Sequence, residues 1–266
     1  MPDTDTVVIT RPLAQAAPLA ARVAALGRPV CVLPLLEIHP LADSAPLLRA
    51  LADLSGYALV AFVSPNAIDA AFAHIERWPA GVALAVLGEG SRAALAAHGV
   101  TPDCATIVSP RDSAHSDSEH LLQTLDLESL RGRRVLIVRG ESGRELMADG
   151  LRRAGADVSV VAAYRRSVPA RSAALEASLR GLLAQNNDWI ITSSEALRGL
   201  MRLLEEIEPG WQPEGAPQRL VVKMQHQHLI VPHARIAQTA SGLGFTRLTL
   251  TGSGDERVLA ALQSRP

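Results

Sequence analysis

The chain has 266 residues, 48% of them hydrophobic and 20% charged, which is the composition of a globular protein with room for two domains of ordinary size. Its 26 basic and 27 acidic residues leave a formal net charge of -1. This balance argues against a nucleic-acid partner, which needs clustered lysine and arginine in excess, and the apolar runs are too short for a membrane span of ~20 residues.

The first six residues, Met1 to Thr6, contain two aspartates and no apolar core, so they do not resemble a signal peptide. Neither Cys31 nor Cys104 sits in a CxxC pattern, and two thiols do not make a disulfide framework. Both features favour a reducing cytoplasm as the location.

Short β-rich apolar runs then alternate with alanine- and leucine-rich segments of helical period. The predicted strands are Val7–Ile9, Val30–Leu36, Ala58–Val63, Val82–Leu87, Thr106–Val108, Val135–Val138, Val158–Ala162, Trp189–Ile191, Leu229–Val231 and Arg247–Leu250. Helices fill most intervals, and the first, Pro12 to Leu26, places Leu19, Val23 and Leu26 on one face with Gly27 as its C-cap. The alternation predicts an α/β fold with parallel sheets and helices on both faces.

The middle of the chain resembles its end. Residues 59–67 (LVAFVSPNA) and 189–197 (WIITSSEAL) both read as a strand, a turn with hydroxyl groups and a helix. Each is followed by a second turn, Gly88 to Arg92 or Pro232 to Arg235, and then by a polar turn that leads into a leucine helix, at 117–122 or 254–259. Three matched features in the same order suggest two similarly built domains.

Two extended stretches, Leu33 to Pro40 and Tyr164 to Pro169, flank the middle block and end at proline. If the chain crosses between domains at both, residues 1–38 and 168–266 form one discontinuous domain. Residues 39–167 then form an inserted domain with linker strands at both ends. We therefore predict two similar flavodoxin-like, parallel-sheet α/β domains joined by a two-stranded linker, with a ligand site in the cleft between them.

Five predicted turns follow strands and open helices, at residues 10–12, 64–66, 88–91, 140–144 and 192–194. In a parallel sheet such turns lie at the carboxyl edge, where ligands bind. Helix-start N–H groups, neighbouring hydroxyls and the arginines Arg11, Arg92 and Arg144 suit anions. Each hydroxyl alone is also an ordinary helix N-cap, so it is their repetition that predicts the binding of a flexible polyanion.

A second interpretation rests on Gly88-Glu89-Gly90-Ser91-Arg92-Ala93, which has the GxGxxA form of a dinucleotide-binding turn. The motif lies far from the first βαβ unit of the chain, and no acidic residue about twenty positions on is convincingly placed to hold a ribose. An NAD(P)-dependent oxidoreductase that uses the Gly88–Gly90 turn stays open as an alternative, as does a two-lobed protein that binds a small anion.

His226, His228 and His233 raise the question of a metal site, since the first two share one face of a predicted strand. Glutamines interleave them and no carboxylate or cysteine lies nearby, so we expect a solvated loop or strand edge and no metal. The chain has neither a GxSxG elbow nor a GxxxxGK[ST] loop. An enzyme of this kind would work by holding a reactive substrate in shape.

As an ordered set, segments along nearly the whole chain resemble the uroporphyrinogen-III synthase family. They are VITRP (8–12), LPLLEI (33–38), FVSPNA (62–67), Leu87-Gly88 with Ser91, VRGE and GRE (138–145), AYRR (163–166), ITSS (191–194), and VPH with RIA (231–237). The resemblance implies two α/β domains joined by a two-stranded linker, the first strand and helix belonging to the C-terminal domain. It also implies a cyclising lyase of heme biosynthesis, with no metal and no organic cofactor, and we expect it to be a monomer. Its substrate is the linear tetrapyrrole hydroxymethylbilane, which is closed with inversion of ring D and loss of water.

The family's tyrosine matches Tyr164, which lies at the second crossing; we expect it to be catalytic, although its ring could instead pack at a domain border. The family's cleft hydroxyls match Ser91 and Thr192 to Ser194, while Pro232-His233-Ala234 departs from members with a threonine there. The predicted substrate-binding residues are Thr10, Arg11, Ser64, Asn66, Gly88, Ser91, Arg139, Gly140, Arg144, Thr192, Ser193, Ser194, His233 and Arg235.

Overall fold

The computed structural model describes residues 5–110, 117–208 and 219–264. The chain divides into two compact units. The first, called here the discontinuous unit, consists of Met1–Glu37 and Ser167–Pro266. The second, the inserted unit, consists of Ile38–Arg166.

Strands and helices alternate along most of the described chain. The strands are β1 (Val7–Ile9), β2 (Val30–Val32), β3 (Glu37–His39), β4 (Leu59–Phe62), β5 (Ala83–Val86), β6 (Ile107–Val108), β7 (Arg134–Gly140), β8 (Asp157–Ser167), β9 (Asp188–Ile190), β10 (His228–Val231) and β11 (Arg247–Leu250). The helices are α1 (Leu13–Ala25), α2 (Ala45–Ala52), α3 (Pro65–Phe72), α4 (Glu89–Ala97), α5 (Ser118–Thr124), α6 (Leu146–Arg153), α7 (Ala173–Leu182), α8 (Ser194–Ile207), α9 (Leu220–Gln225), α10 (Ala234–Gly242) and α11 (Asp255–Gln263). A 3₁₀ helix spans Leu54–Gly56.

The discontinuous unit has a five-stranded sheet in the order β2-β1-β9-β10-β11, with parallel neighbours throughout. Trp189 and Ile190 are consecutive on β9 and fully buried in separate cores, because successive side chains of a strand point to opposite faces. Residues of α8 and α10 pack in the core that contains Trp189, and residues of α1 and α11 pack in the other. The sheet is therefore covered on both faces.

The inserted unit has a six-stranded sheet in the order β3-β8-β7-β4-β5-β6. The pairs β8–β7, β7–β4, β4–β5 and β5–β6 are parallel. Helices α2, α3 and α4 pack through Leu47, Ile68 and Leu95 against one face, and α5 and α6 pack through Leu121 and Leu151 against the other. This unit too is a three-layered α/β sandwich.

The two sheets have the same strand order if the inserted unit is taken to start at β7. Strands β7, β8, β4, β5 and β6 then occupy the places of β1, β2, β9, β10 and β11. This circular permutation pairs β4 with β9 and β5 with β10, the strands that precede the turns with similar sequences. The predicted α/β fold of two similar parallel-sheet units is thus confirmed.

Three local predictions were wrong. The strand predicted as Val30–Leu36 ends at Val32, because Pro34 has no N–H to continue the ladder, and β3 is separate. The first helix buries Leu19 and Val23 fully, but Leu26 is 37% exposed because it is the C-cap; Gly27 follows with a φ of 76°.

The third concerns the strand predicted as Val158–Ala162. It runs on to Ser167 as β8, so Tyr164 lies inside a strand of the inserted unit's sheet rather than in a connection that follows it.

Candidate active site

Each unit has a switch point in its sheet, where two adjacent strands are followed by helices that pack on opposite faces. In the inserted unit α3 follows β4 and packs through Ile68 in one core, while α6 follows the adjacent β7 and packs through Leu151 in the other. In the discontinuous unit α8 and α1 follow the adjacent strands β9 and β1 in the same way. Ligands of open α/β sheets bind at such switch points, outside the carboxyl ends of the strands.

At the switch point of the inserted unit, three predicted site residues lie in contact. The Tyr164 hydroxyl is 3.1 Å from the Ser64 hydroxyl, and the Tyr164 residue is 4% exposed. Its ring lies over Gly140, where a Cβ atom would be 3.1 Å from the ring carbon Cζ. Ser64 is the N-cap of α3, and its hydroxyl accepts the N–H of Ala67 at 3.2 Å. Asn66 occupies the first turn of the same helix.

The loop after β7 is held by arginines. Arg139 pairs with Glu145 and donates to the carbonyl of Arg144 at 3.0 Å. Arg144 pairs with Glu119 of α5 at 3.0 Å. Arg139 and Arg144, both predicted to bind a ligand, are therefore paired with carboxylates of the protein. A ligand carboxylate would have to replace Glu145 or Glu119 in these pairs.

The turn after β5 contains Gly88, Ser91 and Arg92. Gly88 is the N-cap of α4, Ser91 is buried in its first turn, and Arg92 donates to the Ser109 hydroxyl at 2.7 and 3.0 Å. This GxGxxA turn lies beside the switch point rather than at it, since that point falls between β4 and β7. A Cβ on Gly90 would meet only the Pro65 ring, at an ordinary 3.7 Å, so the packing of the protein itself does not require glycine there.

At the switch point of the discontinuous unit, Thr10 and Arg11 follow β1. The Thr10 hydroxyl is buried and donates to the Ile190 carbonyl at 2.7 Å, which ties β1 to β9 at their carboxyl ends. Arg11 forms an ion pair of 2.6 Å with Asp255 in the first turn of α11. The guanidinium is fixed at this edge by a carboxylate 244 residues away in the chain.

The turn after β9 carries three hydroxyls, on Thr192, Ser193 and Ser194. Ser193 is the N-cap of α8 and accepts the N–H of Ala196 at 3.2 Å, which repeats the geometry of Ser64 in the inserted unit. The Ser194 hydroxyl accepts from Thr239 of α10 at 3.1 Å. The next turn places His233 at the N-cap of α10 and Arg235 in that helix's first turn.

The histidine-rich stretch is not the solvated segment that its sequence predicted. His226 is the exposed C-cap of α9, but His228 begins β10 and is 6% exposed. Its Nδ1 lies 2.6 Å from the Asp188 carboxylate and its Nε2 lies 2.9 Å from the Thr249 hydroxyl; Arg28 holds the other Asp188 oxygen at 2.8 Å.

This cluster occupies the amino-terminal edge of the sheet, opposite the switch point. Burial, followed by the nearby charge of Arg247, lowers the pKa of His228 below its ordinary value. The sequence feature that could have indicated this cluster is Asp188, a charged residue at the start of an otherwise apolar strand. Across the described ranges, no group of three or more metal-binding side chains is found, and no helix has the length and apolarity needed to cross a membrane.

The fold and these edges define a class: an α/β protein of two permuted parallel-sheet units, with hydroxyl and arginine side chains at both switch points. The family model described as uroporphyrinogen-III synthase HemD matches residues 17–249. The chain belongs to the uroporphyrinogen-III synthase family, which confirms the prediction from the ordered segments.

Relatives of this chain carry the same name. A uroporphyrinogen-III synthase of Salmonella typhimurium is 32% identical over 263 residues, covering 97% of this chain and 100% of the relative. That of Escherichia coli is 30% identical over 263 residues with the same coverage.

Two solved structures support the fold alone, because their sequence identities are low. A mutant uroporphyrinogen III synthase of Thermus thermophilus has a TM-score of 0.57 at 16% identity, and the Helicobacter pylori uroporphyrinogen-III synthetase has a TM-score of 0.58 at 14% identity. Each covers 98% of this chain and 100% of the other. These relatives give no support to the oxidoreductase or to the anion-binding alternative.

Proposed function

We propose that the chain is a uroporphyrinogen-III synthase, a lyase of heme biosynthesis that closes hydroxymethylbilane into a ring, inverts ring D and releases water. The observation that carries this proposal is family membership along nearly the whole chain. The two switch-point edges, rich in hydroxyl and arginine side chains, suit a substrate with acetate and propionate arms on every pyrrole.

The reaction begins when the hydroxymethyl group of ring A loses its hydroxyl as water, which leaves an azafulvenium cation. Attack by the free α-carbon of ring D gives the unturned isomer without an enzyme. For the inverted isomer the substituted α-carbon attacks first and forms a spiro intermediate, which fragments and recloses with ring D reversed. The free α-carbon of ring D then loses its proton, so the net loss is one water. No electrons are exchanged, so the substrate needs neither a redox cofactor nor a metal to supply them.

The enzyme's task is therefore regiochemical. It has to bring the hindered ring D carbon to within ~3–3.5 Å of the cation before the easier closure occurs. We propose that the carboxylate arms bind to helix-start N–H groups, to hydroxyls and to the arginines Arg11, Arg139, Arg144 and Arg235. The internal carboxylates of Asp255, Glu145 and Glu119 give way to those of the substrate.

Tyr164 is the proposed general acid. It lies at the switch point of the inserted unit and is held by a hydrogen bond to Ser64. Its phenol would donate a proton to the leaving hydroxyl as the C–O bond breaks. General acid catalysis of this kind contributes about 10²–10⁴ in rate.

We further propose that the enzyme is a monomer of the cytoplasm that binds neither nucleic acid nor membranes. Its domains would be residues 1–38 with 168–266, and residues 39–167. The near-zero net charge argues against nucleic-acid binding, and two cysteines without a disulfide support a reducing compartment. Light scattering of the purified protein tests the monomer directly.

The test of the proposed function is incubation with freshly prepared hydroxymethylbilane and separation of the isomers after oxidation. The proposal expects faster loss of the bilane and a large excess of the turned isomer. An isomer ratio equal to that of the spontaneous reaction would contradict it.

A further inference from the structure

Tyr164 is aimed by a break in strand register. Strands β7 and β8 pair residue for residue from Arg134–Asp157 to Arg139–Ala162, and the next pair is Gly140–Tyr164. Ala163 is the extra residue of a β-bulge, a device that redirects side chains near active sites. Without it, strand alternation would send Tyr164 toward the core that holds Val158 and Val160.

Because of the bulge, Ala163 and Tyr164 both lie in the core against which α3 packs. This brings the phenol to the N-terminus of α3, where Ser64 is the N-cap. Gly140 leaves the space for the ring: a Cβ there would lie 3.1 Å from Cζ, and 3.3 Å from both Cε2 and the hydroxyl oxygen. The ring would have to move by a few tenths of an ångström to admit alanine.

The direction of the Ser64–Tyr164 hydrogen bond follows from the partners of each oxygen. The Ser64 oxygen already accepts the Ala67 N–H, and the hydrogen bonds of this hydroxyl among the described residues are that one and the contact with Tyr164. Either hydroxyl can donate in the unliganded protein, but once a ligand oxygen accepts the phenol hydrogen, only the serine hydrogen is left to form the bond between the two. In that arrangement the Ser64 hydroxyl accepts from Ala67 and donates to Tyr164, and the phenol hydrogen is available to the ligand.

We infer that Ser64 is a positioning residue for Tyr164: it donates its hydroxyl hydrogen to the phenol oxygen and thereby directs the phenol proton toward the substrate. The inference deepens the proposed function and rests on it. When the C–O bond breaks, the phenol proton goes to the leaving hydroxyl and forms water, and Ser64 continues to donate to the resulting phenolate. The proton that ring D's α-carbon releases on final closure returns to Tyr164.

The experiment is a double-mutant cycle of Ser64→Ala and Tyr164→Phe, with Ser172→Ala as the matched control. Ser172 is the N-cap of α7 and accepts the Leu175 N–H at 3.2 Å, the same bond length as at Ser64, but it is exposed and is not part of the proposed site. We expect Ser64→Ala to lower kcat about five- to tenfold with little change in KM, the effect of one hydrogen bond. It should lower kcat no further when Tyr164 is already phenylalanine. Ser172→Ala should leave turnover unchanged.

Three further variants separate positioning from simple stability. Ser64→Thr keeps both the cap and the hydroxyl, so it should restore most of the turnover that Ser64→Ala loses. Gly140→Ala should lower kcat through the displaced ring, whereas Gly181→Ala, which adds a Cβ into open space, should not. Thermal unfolding of each variant shows whether loss of turnover follows loss of fold.

The outcomes distinguish failure of this inference from failure of the proposed function. If the wild type makes the turned isomer but the effects of Ser64→Ala and Tyr164→Phe multiply, Ser64 acts independently of the tyrosine and the inference is overturned while the function stands. The same holds if Ser64→Ala behaves like Ser172→Ala. If the wild type gives no excess of the turned isomer, both fail together.

Discussion

Tyr164 combines near-complete burial with a hydroxyl at the edge where ligands bind. A buried phenol usually needs a hydrogen-bond partner, and Ser64 supplies one. The sequence predicted both residues as site residues from separate segments. It could not predict their contact, because the bulge at Ala163 that creates it leaves no mark in a run of small and branched residues.

Replacing Tyr164 with phenylalanine tests the general acid. We expect kcat to fall by about 10²–10⁴, because the leaving hydroxyl would depart without a proton donor. The unturned isomer should increase, since spontaneous closure then competes. Tyr57→Phe is the matched control: Tyr57 is also buried but packs beside Arg134 away from this edge. Wild-type turnover in Tyr164→Phe would remove the tyrosine from the mechanism.

Arg11 offers a second test at the same scale. Its charge is paired with Asp255, so Asp255→Asn should free the guanidinium for a substrate carboxylate. We expect KM to fall by about two- to fivefold, the effect of one partly buried ion pair near the surface. Glu256→Gln removes a neighbouring acid of α11 whose partner is Arg22, and it should leave KM unchanged. Steady-state kinetics with hydroxymethylbilane decide the matter: an unchanged or higher KM in Asp255→Asn would show that Arg11 does not bind the substrate.

Among the elements, the turns were easier to predict than their interactions. The predicted segments Ala58–Val63 and Val82–Leu87 contain the observed β4 and β5, because buried parallel strands read as continuous apolar runs. The arginine pairs of these edges were not predictable, since Arg11 and Arg144 meet carboxylates 244 and 25 residues away. Local patterns place a residue on an edge, and only the fold decides what faces it there.

Asp188 and His228 begin β9 and β10 and are in contact, and His228 also contacts Thr249, the third residue of β11. Burial lowers the pKa of His228, so the unfolded chain binds a proton that the folded chain resists. Stability should therefore be complete above about pH 6.5, the ordinary histidine value, and should fall as the pH decreases below it. Urea unfolding of the wild type from pH 8 to 5 measures this slope.

The control for that slope is the neighbouring exposed histidine. His228→Gln should lose the decrease in unfolding free energy toward low pH, whereas His226→Gln should keep the wild-type profile. A His228→Gln profile that still follows the wild type would show that another group causes the pH dependence.

For the molecule as a whole, the repeat in the sequence was a true signal of the architecture. It matched the turns after β4 and β9 and those after β5 and β10, which occupy equivalent places in the two sheets. It did not reveal the circular permutation, because β7 and β8 lie after their unit's other strands while β1 and β2 come first. The burial of His228 was not predicted for a related reason: its polar partners Asp188 and Thr249 come from strands distant in the chain.

The central claim is that the switch-point edges bind the linear tetrapyrrole with its reacting end at Tyr164. A crystal structure with an unreactive bilane, which carries a methyl group in place of the hydroxymethyl group, tests it most directly. The account predicts carboxylate arms on the turns that follow β4 and β7, and the ring A methyl carbon beside the Tyr164 hydroxyl. A bilane bound at the opposite edge near His228, or with ring A remote from Tyr164, would contradict it.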